Sequence, residues 1–259
     1  MNNSVTQGEG QKILLAEDNP ITQKVMLQML RRLGYECDVA DNGREAVEAV
    51  ANQSYDLVFM DCEMPEMDGF EATERIRAAE GEARRTPIVA MSASALPGEE
   101  GRFLDAGMDA YIMKPASAAS LGGFLARWFR GDQGAGVTSQ IETAGDTGPL
   151  DQERFQEISG GNPALERELA QLFLDDTRKR VALLMDAMND GLLDQVRHTA
   201  HAIKGASANI GAHAFRSAAA RLEEAAAEPG QKQVAACWES FRAEFRRLEA
   251  LLHEIAVSS

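Results

Sequence analysis

The amino-acid sequence predicts two folds in one chain: a doubly wound α/β domain with a five-stranded parallel sheet, followed by an all-α four-helix bundle. In residues 11–131, short apolar runs alternate with stretches of helical period, whereas residues 150–257 contain only long stretches of helical period. Residues 132–149 are rich in Gly, Thr and acids and have no period, so we expect a flexible linker there. The polar residues 1–10 are predicted to form a disordered tail.

Five short apolar runs in the first domain are typical of buried strands. They are KILLA (12–16), ECDVA (36–40), DLVFM (56–60), PIVAM (87–91) and AYIMK (110–114). The intervening stretches, and one that follows the last strand, have the period of amphipathic helices: 21–34, 43–53, 68–81, 96–107 and 117–130. Five strand–helix units in succession imply a parallel sheet with helices on both faces.

The second domain contains four amphipathic stretches separated by Gly or Pro-Gly: residues 162–191, 192–211, 213–228 and 231–256. The first stretch begins with Asn162 in a capping position and Pro163 at the first helical position, and it ends at Gly191. Long amphipathic helices with short connections indicate an antiparallel four-helix bundle.

Composition excludes several classes of partner and location. The formal net charge of −15 disfavours nucleic acid and anionic membrane surfaces, because both would repel the chain. The start, MNNSVTQGEGQ, lacks the apolar core of a signal peptide, and no apolar run approaches the roughly 18 residues that span a bilayer. Cys37, Cys62 and Cys237 are far apart and form no disulfide or metal-ligand pattern. We therefore expect a soluble cytoplasmic protein without direct membrane insertion.

Polar residues capable of chemistry cluster at the ends of the predicted strands. Glu17 and Asp18 follow the first strand and Asp61 follows the third. Ser92 follows the fourth strand, and Lys114 ends the fifth. All five therefore lie at the carboxyl edge of one parallel sheet, where open α/β folds bind their ligands.

The charges of this cluster predict a phosphoryl-accepting site. Three carboxylates repel one another unless a cation lies among them, and hard oxygen ligands suit Mg²⁺ or Mn²⁺. Lys114 would neutralise phosphoryl oxygens, and the Ser92 hydroxyl would donate a hydrogen bond to another. In-line attack by the Asp61 carboxylate would then give an acyl phosphate.

Four stretches, LLAEDNP, DLVFMDCEMPEMDGFEATERIR, AMSAS and YIMKP, resemble the signature of the two-component receiver domain, especially of receivers attached to hybrid histidine kinases. The likeness covers residues 11–131 and implies a flavodoxin-like fold. It also implies the following roles: Glu17 and Asp18 as the acidic pair, Asp61 as phosphoacceptor, the backbone carbonyl of Glu63 as a further metal ligand, Ser92 as switch hydroxyl, Tyr111 as switch aromatic residue and Lys114 as phosphate contact. Ser92 replaces the threonine that is commoner in the family, and the Glu63 side chain adds an acid beside the site.

The stretch HAIKGASANIGA (201–212) resembles the signature of the histidine-containing phosphotransfer (Hpt) domain, with His201 as phosphoacceptor and donor and Lys204 beside it. The likeness covers residues 150–257. At about 100° per residue, one stripe should face the core, and His201 should point away from it and be exposed. That stripe comprises Leu192, Val196, Ile203, Ser207 and Ile210.

A partner's aspartate must reach the phosphorylated histidine, so bare neighbours predict a docking surface. Gly205 and Ala208 should lie on the outer strip of the helix together with His201, and Lys204 should balance the charge of the phosphate. His198 lies only about 60° from His201 and belongs to the same surface. The residues three, four and seven positions after His201 are Lys204, Gly205 and Ala208. The same positions after His198 include no lysine, so we assign the phosphate to His201.

These features predict a phosphorelay protein whose partners are a sensor histidine kinase, downstream receiver domains, or both. No stretch resembles a kinase ATP-binding domain, so we expect a signalling protein rather than an enzyme. One alternative is a haloacid-dehalogenase-like phosphohydrolase that uses Asp61, although Glu63 stands where such enzymes carry a second aspartate. Others are a phosphate-independent docking protein, a metal site at His198 and His201, and an ordinary surface histidine on an alanine-rich helix.

Overall fold

The computed structural model describes residues 10–81, 85–92, 99–114, 116–131, 148–227 and 231–257. The chain divides into two compact units, Met1–Ile141 and Glu142–Ser259. The predicted tail at 1–10 lies outside the described residues except for Gly10, and the predicted linker lies outside them except for its last two residues.

The first unit is a five-stranded parallel sheet with the strand order β2-β1-β3-β4-β5. Its strands are β1 (Lys12–Ala16), β2 (Glu36–Ala40), β3 (Leu57–Asp61), β4 (Ile88–Ser92) and β5 (Ala110–Met113). The predicted doubly wound parallel sheet is thereby confirmed. Asp61 and Ser92 are the last residues of β3 and β4, because these two strands begin and end one residue later than predicted.

Five helices alternate with these strands: α1 (Pro20–Arg32), α2 (Gly43–Asn52), α3 (Gly69–Ala79), α4 (Glu99–Asp105) and α5 (Ala118–Trp128). The side chains of neighbouring strand residues point to opposite faces. The Phe59 ring lies 6.2 Å from the Phe124 ring of α5. Met60, the next residue, belongs to a core cluster that includes Ala46 of α2 and Ile76 of α3. Helices therefore cover both faces of the sheet, as predicted.

The second unit is all helical in its described residues: α6 (Gln152–Ser159), α7 (Pro163–Asn189), α8 (Leu193–Ile210), α9 (His213–Ala227) and α10 (Gln231–Val257). Helices α7 to α10 form the predicted four-helix bundle, in which α8 and α10 each pack against α7 and α9. Its centre is aromatic, since the Phe215 ring lies 4.8 Å from that of Phe241 and 6.4 Å from that of Phe173.

Helix α6 is absent from the sequence prediction. It is only 8 residues long; the capping residue Asp151 precedes it, and Gly160, which adopts the left-handed conformation at φ 66°, follows it. Two turns are too short to show a clear helical period, so the capping residues are its only sequence signal. Among the described residues, none of the helices combines the length and apolar character required to cross a membrane.

Candidate functional site

The loop between β1 and α1 carries the first two acidic residues of the sheet edge. Asn19 caps α1 by accepting hydrogen bonds from the backbone N–H groups of Ile21 and Thr22. The side-chain amide of Gln23 donates to the Glu17 carbonyl (2.6 Å) and to the carboxylate of Asp41 beyond β2 (2.8 Å). Capping and cross-loop hydrogen bonds thus fix the backbone that presents Glu17 and Asp18.

Glu17, Asp18 and Asp61 form one acidic cluster, in which the closest carboxylate oxygens all lie within 4.8 Å of one another. Glu17 is 1% exposed and Asp61 is 7% exposed, while Asp18 is half-buried. Burial weakens the screening of their mutual repulsion by water. The cluster is therefore chemically suited to a divalent cation with hard oxygen ligands.

Lys114 joins the buried acids from the end of β5. Its Nζ lies 2.5 Å from Glu17 Oε2 and 2.7 Å from Asp61 Oδ2. Burial, and to a smaller extent the charge of Asp61, raise the pKa of Glu17 to about 8 despite the lowering effect of Lys114. Burial alone would lower the pKa of Lys114, but the charges of Asp61 and Glu17 outweigh burial and raise it. Lys114 is therefore protonated and supplies a positive charge to this site before any ligand binds.

The loop after β3 is packed directly against Asp61. A Cβ atom on Gly69, the first residue of α3, would lie 2.1 Å from the Asp61 carbonyl oxygen. The backbone N–H of Glu63 donates to Asp61 Oδ1 (3.2 Å) and so orients that carboxylate. The start of α3 and the phosphoacceptor candidate thus form one closely packed unit.

We expect Gly69→Ala to destabilise the first unit by at least about 1–3 kcal/mol, because the added methyl group would collide with backbone rather than with a flexible side chain. Urea unfolding followed by the fluorescence of Trp128 measures this effect, in chains whose only other tryptophan, Trp238, is replaced by phenylalanine. The matched control is Gly123→Ala on α5, where a Cβ atom would meet nothing within 4 Å. Equal stability of the two variants would contradict the close packing of Gly69.

The remaining predicted residues of the first unit lie at or near the same edge. Ser92 ends β4, and its carbonyl accepts a hydrogen bond of 2.7 Å from the Lys114 backbone N–H. The Glu63 side chain is exposed. Tyr111 is only 9% exposed, and its ring lies 5.7 Å from that of Phe103 on α4. The structure thus brings Glu17, Asp18, Asp61 and Lys114 into one cluster and places Tyr111 against α4.

In the second unit, His201 lies on α8 opposite a carboxylate of α9. Its Nδ1 is 2.7 Å from Glu223 Oε1, and the Nζ of Lys204 is 2.7 Å from Glu223 Oε2. Burial raises the pKa of Glu223, but hydrogen bonds from His201 and Lys204 outweigh burial and lower it below its ordinary value. One ionised carboxylate therefore contacts both the imidazole and the ammonium group.

Sequence reasoning missed Glu223. Its only sequence signal is the pair of acids at 223 and 224 on the next helix, and the distance of 22 residues from His201 does not show which of the two faces α8. Helix α9 returns along α8, and this places Glu223 on the contacting side while Glu224 is exposed.

Three expectations about side-chain exposure, in α8 and at the residue before it, were wrong. Ala208 is only 5% exposed; it lies in the last turn of α8, before Gly211, where both α6 and α9 approach α8. Leu192 is 49% exposed and not part of the core stripe, because it precedes the first helical turn and its ψ of 72° is not helical. The His201 side chain was expected to be exposed but is only 20% exposed, since Glu223 lies against it.

Two expected features of the α8 surface are present. A Cβ atom on Gly205 would meet nothing within 4 Å, so the backbone there faces open space. His198 is exposed, and its Nε2 lies 3.4 Å from a guanidinium nitrogen of Arg197. Gly205 therefore forms the open area beside His201, and Ala208 does not contribute to it.

Comparison with known families assigns both units. Residues 13–124 match the family model described as "Response regulator receiver domain", and residues 168–257 match the model described as "Hpt domain". The first range contains the acidic cluster with Lys114, and the second contains His201, Lys204 and Glu223. The first unit therefore contains a receiver domain and the second an Hpt domain.

Curated relatives include the sensor histidine kinase GacS of Pseudomonas protegens, which is 30% identical over 87% of this chain and 25% of the relative. Hybrid signal transduction histidine kinase G of Dictyostelium discoideum is 44% identical over 45% of this chain and 4% of the relative. The chain thus spans a quarter or less of the length of these relatives.

Among solved structures, a receiver domain of a sensor histidine kinase from Pseudomonas aeruginosa, with a magnesium ion coordinated in its active site cleft, is 45% identical. That match has a TM-score of 0.43 and covers 47% of this chain and 98% of the other.

Proposed function

We propose that this chain relays phosphoryl groups between Asp61 of its receiver domain, His201 of its Hpt domain, and separate sensor kinases or response regulators. The observation that carries the proposal is the pair of sites described above, each within the matched range of its own family. The three free cysteines among the described residues fit a reducing compartment, so we place the protein in the cytoplasm.

The donor set of the receiver fits Mg²⁺ or Mn²⁺. The side chains of Glu17, Asp18 and Asp61, with the backbone carbonyl of Glu63, would hold the ion. Carboxylate oxygens within 4.8 Å of one another can share one hard cation, whereas they offer no soft ligand for zinc or copper. When bound, the ion supplies positive charge that screens the acids from an incoming phosphoryl group.

The side chains of the receiver domain carry out the other parts of phosphoryl transfer. Asp61 Oδ attacks phosphorus, and the bond from phosphorus to the donor breaks with its electron pair on the donor. Lys114, already 2.7 Å from Asp61 Oδ2, neutralises the charge that reaches the phosphoryl oxygens. Ser92 at the end of β4 donates a hydrogen bond to one of them, and Tyr111 against α4 transmits the change to that helix.

We expect Lys114→Ala to lower the initial rate of phosphorylation by acetyl phosphate by about 10²-fold, because a preorganised charge at the phosphoryl oxygens is lost. The same variant should bind Mg²⁺ more tightly, because the ammonium group that contacts Glu17 and Asp61 is removed. Labelling kinetics and magnesium titration calorimetry measure the two effects, with Lys24→Ala on α1 as the control. A loss of both labelling and magnesium affinity would contradict the role of Lys114.

The hydrolase alternative is not favoured by the comparisons, since both family models describe signalling domains. A steady turnover of small phosphomonoesters would support that alternative. Transfer of an acid-labile phosphoryl group to or from a second protein would support the relay.

A further inference from the structure

We propose that the β2–α2 junction, residues 40–44, holds the two metal-ligand loops of the receiver at a fixed separation and so sets its affinity for Mg²⁺ and its selectivity against Ca²⁺. The first loop (17–19) carries the acidic pair, and the second loop (62–68) carries the carbonyl of Glu63. The junction contains none of the proposed ligands, yet it contacts both loops. The inference rests on the metal site that is part of the proposed function.

The junction is bonded to both backbone polar groups of Glu17 in the first loop. The Glu17 N–H donates to the Ala40 carbonyl at 3.0 Å. The Glu17 carbonyl accepts from the side-chain amide of Gln23 at 2.6 Å, and the same nitrogen donates to the Asp41 carboxylate at 2.8 Å. Gln23 requires only an acceptor oxygen at position 41, which Asp41→Asn would retain. The backbone that presents the acidic pair is thereby fixed to the end of β2.

The junction also contacts the second loop, at a strained turn. Glu66 has a φ of 66°, which non-glycine residues rarely adopt, and the Met67 N–H donates across it to the Pro65 carbonyl at 2.7 Å. Arg44 donates to the Glu66 carboxylate at 2.6 Å, and the Gly43 N–H donates to the Met67 carbonyl at 3.2 Å. Strained backbone persists only where its surroundings hold it, and the junction supplies two such contacts.

Gly43 makes the closer of these two contacts. A Cβ atom on Gly43 would lie 2.5 Å from the Met67 carbonyl oxygen and 3.0 Å from the Cβ of Ala72. The side chains of Arg44 and Glu66 are 58% and 57% exposed, so their ion pair contributes little. The distance from the junction to the second loop therefore depends mainly on the absence of a side chain at residue 43.

The junction is itself held by hydrogen bonds to Glu45 of α2. The Asn42 side chain caps α2 by accepting from the Glu45 backbone N–H at 3.0 Å. In return, the Glu45 carboxylate accepts from the Asp41 backbone N–H at 2.9 Å and from the Asn42 side-chain amide at 3.0 Å. A junction fixed in this way defines the separation of the two loops before an ion binds.

Mg²⁺ is more sensitive to this separation than Ca²⁺. Mg²⁺ requires nearly ideal octahedral geometry with oxygen ligands at about 2.0–2.1 Å. Ca²⁺ accepts roughly six to eight oxygen ligands at about 2.3–2.6 Å in a flexible arrangement. A displaced loop should therefore weaken the binding of Mg²⁺ more than that of Ca²⁺.

The test is titration calorimetry of the full chain with Mg²⁺ and, separately, with Ca²⁺. Gly43→Ala displaces the second loop, and Gln23→Met removes the bridge to the first loop with little change in side-chain length. We expect each variant to lower the Mg²⁺ affinity by about 3- to 10-fold, as loss of about one hydrogen bond predicts. The Ca²⁺ affinity should fall by less than about twofold, because that ion tolerates the changed geometry.

Two matched controls make the same changes elsewhere. Gly123→Ala lies on α5, where a Cβ atom would meet nothing within 4 Å. Gln28→Met lies five residues after Gln23 on α1, about 140° around the helix. Both controls should bind the two ions with wild-type affinity. Circular dichroism shows whether each variant is folded, and if Gly43→Ala is not, Gln23→Met decides the question.

The failure of this inference differs from a failure of the proposed function. Unchanged Mg²⁺ affinity in the folded variants, or an equal loss of affinity for both ions, would overturn the role of the junction. A selective loss of Mg²⁺ affinity would support it. Absence of Mg²⁺ binding by the wild type would instead overturn the proposed metal site, and with it the Mg²⁺-dependent function of the receiver.

Discussion

Asp61→Asn is expected to abolish the Mg²⁺-dependent labelling of the receiver domain by acetyl phosphate or by a phosphohistidine donor. The amide removes the only proposed nucleophile of the acidic cluster while it keeps nearly the same volume, so the fold should be retained. Asp61 is 7% exposed, and its Oδ2 contacts Lys114 while its Oδ1 accepts from the Glu63 backbone. A neighbouring acid cannot replace a carboxylate held in this geometry.

The measurement is the incorporation of labelled phosphate with and without Mg²⁺, with hydroxylamine treatment to identify the acyl phosphate. Asp41→Asn is the matched control, because Asp41 is an exposed acid that follows β2 at the same edge of the sheet. We expect wild type and Asp41→Asn to be labelled only with the metal. Metal-dependent labelling of Asp61→Asn at the wild-type level would contradict the assignment of the phosphoacceptor.

His201→Gln is expected to abolish acid-labile, alkali-stable labelling of the Hpt domain by a phosphorylated receiver. Glutamine has no nucleophilic nitrogen, so the loss should be complete rather than partial. His198→Gln is the matched control three residues earlier on the same helix. His198 is exposed and contacts Arg197, whereas His201 contacts the carboxylate of Glu223 at 2.7 Å. We therefore expect His198→Gln to change only the rate.

Peptide mapping of the labelled Hpt domain under alkaline conditions identifies the modified residue directly. If His198→Gln lost its label and His201→Gln kept it, the assignment from the signature motif would be wrong. The two variants also test the metal-site alternative, because replacement of either histidine would then lower zinc affinity equally.

Much of the fold follows from short-range patterns in the sequence. The strands β1 and β2 have the predicted bounds, and the polar residues at the strand ends converge because parallel strands share one carboxyl edge. The cap at Asn162 and the turn at Gly191 were likewise predicted, and the structure has them at the ends of α7. These features depend on residues close together in the chain, so the sequence displays them directly.

The errors concern contacts between helices. Helical angles placed Ala208 on the open surface, but it is only 5% exposed, in the last turn of α8, which α6 and α9 both approach. Angles also placed Leu192 in the core, although it precedes the helix. Glu223 could not be paired with His201 because the register of α9 against α8 depends on packing along both helices. A helical wheel describes one helix and contains no information about its neighbour.

Phosphotransfer profiling of the purified full chain tests the central proposal most directly. The chain is incubated with each histidine kinase and each phosphorylated receiver of its source organism, and the label is assigned to Asp61 or His201 through the two variants above. The relay predicts rapid transfer from at least one kinase to Asp61 and exchange between His201 and at least one receiver. Absence of label at both residues across the complete set would contradict it.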